Sequence, residues 1–276
     1  MPEALQWSQP TRCLDLGSGE IHVWRVFPED IEGDANLERL LSPEERMVQR
    51  RFLCGSSRRS FAAHRGLLRC LLGRYLRMDP ASVQIQRGPH GKPELISSGR
   101  SEPLHFSLSH TRGLSLFAFS RLGAVGVDVE FIDSNLDPER MAAWILLPAA
   151  RSRLMASPSA EKVAAFHSAW TVQEACAKAV GLGLGPSLAG PEGMVLLEVA
   201  EHAEMAGGLA MMMIDAGPGY AAALACRGKS FILKSWQWPH ARQAALRPPP
   251  PDLARVSADL AVPSWVPIFP KRPALG

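Results

Sequence analysis

Two carboxylates stand two residues apart in Gly126-Val127-Asp128-Val129-Glu130-Phe131, a run whose alternation reads as a β-strand. Side chains with a period of two share one face of a strand, so Asp128 and Glu130 project together, within reach of one hard cation. That geometry needs a third ligand. The stretch from Phe166 to Lys178 reads as a helix and offers Glu174, with Lys178 one turn further along the same face. Taken alone, each half of this pattern is commonest as a solvated surface, the Asp-x-Glu strand as a sheet face and the Glu/Lys pair as a helix surface pair. Taken together they describe an open site, outside the core, where acidic oxygens hold a cation beside an ammonium.

The elements that must position these groups follow from pattern and punctuation. Residues 21–27 (IHVWRVF) are rich in β-branched and aromatic types and read as a strand closed by Pro28. Ser42-Pro43-Glu44-Glu45 has the makings of a helix start: a hydroxyl for orphan N–H groups, proline at the first position, and acidic residues at the positive end of the dipole. From Arg58 to Arg77 a second helix places Phe61, Arg65, Leu68 and Leu72 at three- and four-residue steps before Asp79-Pro80. Strand-like alternation at Val83, Ile85 and Arg87 leads into Gly88-Pro89-His90-Gly91-Lys92-Pro93, a rigid loop that can present its lysine at a fixed point. Residues 104–109 and 114–120 read as strands around His110-Thr111-Arg112-Gly113, and 126–131 as a third. The second half repeats the order: a helix over about 159–180, a glycine-rich stop, strands near 193–199 and 208–214, and a last one over 219–225.

This order predicts an α+β protein of two similar α/β halves packed as a pseudo-dimer, with residues 1–122 and 123–238 as the halves. The remaining 239–276 is a Pro-rich tail, with Arg247 followed by four prolines and isolated Trp265 and Phe269. The 46% apolar content of 276 residues supports a core, and the net charge of +3, mixed along the chain, argues against nucleic acid as a partner. Five scattered cysteines without a Cys-x-x-Cys pair fit a reducing cytoplasm, and the absence of a long apolar run or a signal-like start argues against membrane insertion or secretion.

Three motifs in this order and spacing make the sequence similar to the surfactin-synthetase type of 4'-phosphopantetheinyl transferases. They are Phe106-Ser107-Leu108-Ser109-His110, Gly126-Val127-Asp128-Val129-Glu130, and Trp170-x-x-x-Glu174-Ala175-x-x-Lys178 with Gly181-x-Gly183 after it. Gly91-Lys92-Pro93 and Pro218-Gly219-Tyr220 extend the resemblance over roughly residues 21 to 238. It implies transfer of a phosphopantetheine arm from coenzyme A to a serine of an apo acyl, peptidyl or polyketide carrier protein, releasing 3',5'-ADP. It also implies magnesium on Asp128, Glu130 and Glu174, with Glu174 doubling as base and Lys178 steadying the phosphates. That chemistry is consistent with an ion that keeps several waters and binds few carboxylates plus substrate phosphate. The resemblance further implies that Ser109, His110 and Lys92 contact the nucleotide 3'-phosphate region, with Arg87 and Arg46 lining the same site. Two packed halves would make a monomer sufficient.

The chain departs from the family pattern at two places. Gln173 stands where members usually carry lysine or arginine; one step from Glu174 on a helix, it points about 100° away from it and is expected to face a phosphate or the carrier. Ile145-Leu146-Leu147-Pro148-Ala149-Ala150-Arg151 matches only roughly a stretch that borders the carrier surface in the family. A metal-dependent pyrophosphate hydrolase would want more acidic residues on the helix than Glu174. A carrier-binding module with weakened catalysis is the other alternative, with Gln173 as its mark.

Overall fold

The computed structural model describes residues 5–9, 14–88, 91–96, 103–181, 208–228 and 230–239. The strand expected near 193–199, the glycines after Gly181 and the tail from 240 onward lie outside the described residues. The architecture mixes helix and sheet, as the residue pattern predicts.

Strand β1 (Glu20–Val26) is central in the first sheet, between β5 (Leu114–Ser120), which is antiparallel to it, and β9 (Ile232–Gln237), which is parallel. Strand β4 (His105–Thr111) forms the other edge, antiparallel to β5. Alternation along β1 divides its side chains between two layers. Trp24 and Val26 face helix α3 (Gly55–Leu76) with its Leu67, Leu68, Leu71 and Leu72, whereas Ile21 and Val23 face the second sheet. Each fully buried leucine contributes about 1.5–3 kcal/mol, which makes the α3 interface the main anchor of this half. Helices α1 (Ala35–Arg39) and α2 (Pro43–Arg50) precede it; α2 starts where the sequence indicates, with Ser42 accepting from Glu45 N and the Glu45 side chain accepting in return from Ser42 N. The short hairpin of β2 (Ile85–Arg87) and β3 (Pro93–Leu95) follows α3.

The second sheet has the order β6 (Val125–Phe131), β8 (Tyr220–Arg227), β7 (Leu209–Met213). Val125, Val127 and Val129 pack towards the first sheet with Ala222 and Leu224, and helix α6 (Lys162–Val180) covers the other face. The layers therefore run helix, sheet, sheet, helix. Small residues let α6 come close: Ala175 and Ala179 meet Ala223 and Ala225. A Cβ on Gly126 would fall inside the van der Waals envelope of the Ala175 carbonyl oxygen. This close approach puts the Asp128/Glu130 face of β6 under α6.

Three features differ from the sequence reading. The turn between β4 and β5 is tighter than expected, because His110 pairs with Ser115 and Thr111 with Leu114, leaving Arg112-Gly113 to turn the chain. The loosely matching stretch near 145–151 falls at a corner between helices α4 (Pro138–Ile145) and α5 (Pro148–Ala156). Residues 232–237, placed by the sequence reading in the second half but not read as a strand, form β9 and complete the sheet of the first.

Candidate active site

Asp128 is buried, at 3% exposure, rather than displayed on an open face. Its Oδ1 accepts from the Lys178 ammonium at 2.7 Å and from the Ser109 hydroxyl at 2.7 Å. Lys178 also donates to the Val127 carbonyl at 3.2 Å. Glu130, two residues on, accepts from Thr111 Oγ1 at 3.5 Å and from the Trp170 indole. Glu174 shares the α6 face of Lys178, and its carboxyl feels the charges of Asp128, Lys178 and Glu130. Strand β4 meets β6 through a row of hydroxyls with the strand period: Ser107 accepts from Val127 N, Ser109 donates to Asp128, and Thr111 accepts from Phe131 N. The sequence alternation Ser-x-Ser-x-Thr carries that signal, yet only Ser109 is singled out by the motif reading. Trp170, which opens the third motif, gains a contact with Glu130 that the motif reading did not assign.

Three carboxylates thus face one ammonium in a largely dry setting. Burial, followed by the charge of Asp128, pushes the Glu130 carboxyl up to about 7 and the Glu174 carboxyl up to about 8. Burial alone would lower the Lys178 pKa, but Asp128, Glu174 and Glu130 together raise it. Asp128 Oδ2 is buried with no hydrogen-bond partner. Surplus carboxylate charge and an orphaned acidic oxygen are the donor chemistry that a hard divalent cation requires. Among the described residues no three acidic, histidine or cysteine groups already converge as a ligand set, and Lys178 stands on Asp128 Oδ1.

A stability prediction follows from the two raised carboxyls. Between pH 6.5 and 8 the folded chain retains protons on Glu130 and Glu174 that the unfolded chain, near 4.5, has lost. Folded protein binding more protons means stability falls as pH rises through this window. In chelator-treated protein, Tm should drop from pH 6.5 to 8, and Glu174→Gln should flatten that slope. A Tm that rises over the window would contradict the charge cluster.

Comparison with known proteins places the chain in a family. A match to the 4'-phosphopantetheinyl transferase superfamily covers residues 124–224, which span β6, α6 and most of β8. The 4'-phosphopantetheinyl transferase HetI of Nostoc sp. is 31% identical over 235 residues, covering 84% of this chain and 98% of the relative. The chain belongs to this superfamily. A relative from Synechocystis sp. is 30% identical over 166 residues, covering 60% of this chain and 67% of its own. A phosphopantetheinyl transferase of Thraustochytrium sp. is 29% identical over 164 residues, covering 55% and 56%. The protein is accordingly an enzyme of the phosphopantetheinyl transferase type.

In this transferase the residues expected at the nucleotide end lie on several elements: β4, β2, α2 and the segment between β2 and β3. His110 lies beside Ser109 on β4, its ring edge-on to that of His64 at 4.9 Å, and burial lowers its pKa. His64 donates from Nδ1 to the Ser60 carbonyl at 2.7 Å, which leaves Nε2 to accept from Ser115 Oγ at 2.6 Å. Arg87 is exposed on β2, near enough to Arg65 to help depress that guanidinium's pKa after burial and despite Glu45. Arg46 donates to the Arg39 carbonyl at 2.9 Å. Lys92 is directed at backbone: its ammonium donates to Val125 O at 2.8 Å and to Lys178 O at 2.6 Å.

Gln173 points away from Glu174 as its helical position requires, but into the protein. It is 5% exposed, its Oε1 accepts from Leu147 N at 2.8 Å, and its Nε2 donates to Ile145 O at 3.0 Å. A cavity of about 220 Å³ adjoins it, lined by Leu147, Val172, Cys176, Met211 and Met213 and by none of the three carboxylates.

Proposed function

We propose that this transferase is of the surfactin-synthetase type and moves the 4'-phosphopantetheine arm of coenzyme A onto a serine of an apo acyl, peptidyl or polyketide carrier protein. The observation that carries the reading is the set of Asp128, Glu130 and Glu174 gathered around Lys178 within the matched segment. Asp128, Glu130 and Glu174 would hold magnesium, which when bound neutralises charge on the diphosphate. The serine oxygen forms the new bond to the phosphorus bearing pantetheine, the diphosphate P–O bond breaks, and 3',5'-ADP leaves. Glu174 takes the serine proton directly or through water, and Lys178 steadies the departing phosphate. Ser109 and His110, on the strand that borders Asp128, bring the nucleotide end of coenzyme A next to the carboxylates, with Arg87 and Arg46 lining the same site. The same reading takes residues 1–122 and 123–238 as a pseudo-dimer working as a cytoplasmic monomer, with 239–276 as an appended tail. Among the described residues no helix is long and apolar enough to cross a membrane.

The test is direct. The protein, coenzyme A, magnesium and an apo carrier should yield a carrier heavier by one phosphopantetheine by mass spectrometry, and chelation should stop the reaction. A carrier of unchanged mass across acyl, peptidyl and polyketide types would remove the reading.

A further inference from the structure

We propose that Lys92 is a positioning residue whose ammonium, bridging the Val125 and Lys178 carbonyls, locks the C-terminal turn of α6 onto β6 and thereby sets where Lys178 meets Asp128. The two acceptors belong to the two elements that build the site. Val125 opens β6, three residues before Asp128, and Lys178 lies in the last turn of α6 before the left-handed Gly181. An ammonium has three N–H donors, and two of them have acceptors here at 2.8 and 2.6 Å. Its charge sits at the negative end of the α6 dipole, beside a terminal carbonyl that also accepts from Gly181 N at 3.3 Å. At Gly126 the two backbones touch, so a small slide of the last turn is transmitted directly to the Lys178 side chain. Lys92 is carried by the segment leading from β2 into β3, where Gly88 N donates to Lys92 O at 2.8 Å, so the bridge ties an element of the first half to the catalytic helix. Burial also pulls the Lys92 pKa down to about 8, in keeping with an ammonium held away from water.

This assignment differs from contact with the nucleotide 3'-phosphate, and two measurements separate them. The first rests on the transferase reading above. Lys92→Met should lower kcat by about tenfold or more, as misplacement of a reacting group by a fraction of an ångström does, while the preference for coenzyme A over dephospho-coenzyme A stays at its wild-type value. Lys92→Arg, which can still donate to both carbonyls, should restore most of the turnover. Loss of the 3'-phosphate preference with kcat intact would overturn the proposal in favour of a nucleotide contact. Wild-type kcat in the folded Met variant would overturn it as well. The second measurement needs no activity. The Tm losses of Lys92→Met and Asp128→Asn should fall short of adding in the double variant, because both act on the placement of Lys178. Strict additivity would refute the coupling even if the chain proved to transfer nothing, and non-additivity would uphold it.

Discussion

Glu174→Gln is expected to lower carrier modification by about 10²–10⁴-fold, the range for removing a positioned acid–base group, while the protein stays folded. The amide keeps the shape of the carboxyl and removes one of three mutually repelling charges. In metal-free protein at pH 8 its Tm should equal or exceed that of the wild type, because burial and Asp128 already hold the Glu174 carboxyl at about 8. Asp128 is the less informative target, against the sequence expectation that both acids stand on an open site. Asp128→Ala would leave the Lys178 ammonium without its 2.7 Å partner, and breaking such a buried pair costs about 3–5 kcal/mol. Loss of activity there would mix chemistry with unfolding. Measuring turnover and Tm together separates the two variants. A Glu174→Gln enzyme with wild-type turnover at limiting magnesium would take Glu174 out of the catalytic set.

The site's acidic half was legible because it rests on local periodicity. Asp128 and Glu130 share a face by the strand period, Glu174 and Lys178 by the helix period, and both elements form where expected. What the sequence did not show is that α6 lies so close on this face that Asp128 is buried rather than open. Gly126 and the alanines of α6 and β8 hold that information, but only once the two elements are known to touch. The partner of β9 was hidden for a related reason. Parallel pairing of Ile232–Gln237 with β1 closes a loop of some two hundred residues and leaves no local mark, so the sequence reading leaves the segment unassigned within the half it follows. Lys92 shows the limit of motif reasoning. A loop that can hold a lysine at a fixed point does not reveal whether the ammonium meets a ligand or a backbone carbonyl.

Gln173→Lys should destabilise the protein, although the sequence reading has this position face a phosphate or the carrier. The family's basic residue at this position invites the view that glutamine merely lacks a charge facing a phosphate or the carrier. Here both ends of the amide are used inside the fold: Oε1 on Leu147 N, at the start of α5, and Nε2 on Ile145 O, at the end of α4. Only a group that both accepts and donates can tie this corner, and the glutamine amide carries both without a charge. Lysine could still donate to Ile145 O but could not accept from Leu147 N, and a buried donor left unsatisfied costs about 1–3 kcal/mol before any charge is desolvated. For a domain of this size such a loss corresponds to a Tm lower by about 2–12 °C. The charge adds a diagnostic sign. A lysine buried without an acid beside it has a depressed pKa, so the folded variant binds fewer protons than its unfolded chain and gains stability as pH rises towards the ordinary lysine range. The deficit of Gln173→Lys relative to wild type should therefore shrink between pH 7 and 9. That of Gln173→Met, which loses both hydrogen bonds and gains no charge, should not change with pH. A lysine variant with wild-type Tm and a lower Michaelis constant would mean that the side chain leaves the α4–α5 corner and reaches a substrate after all.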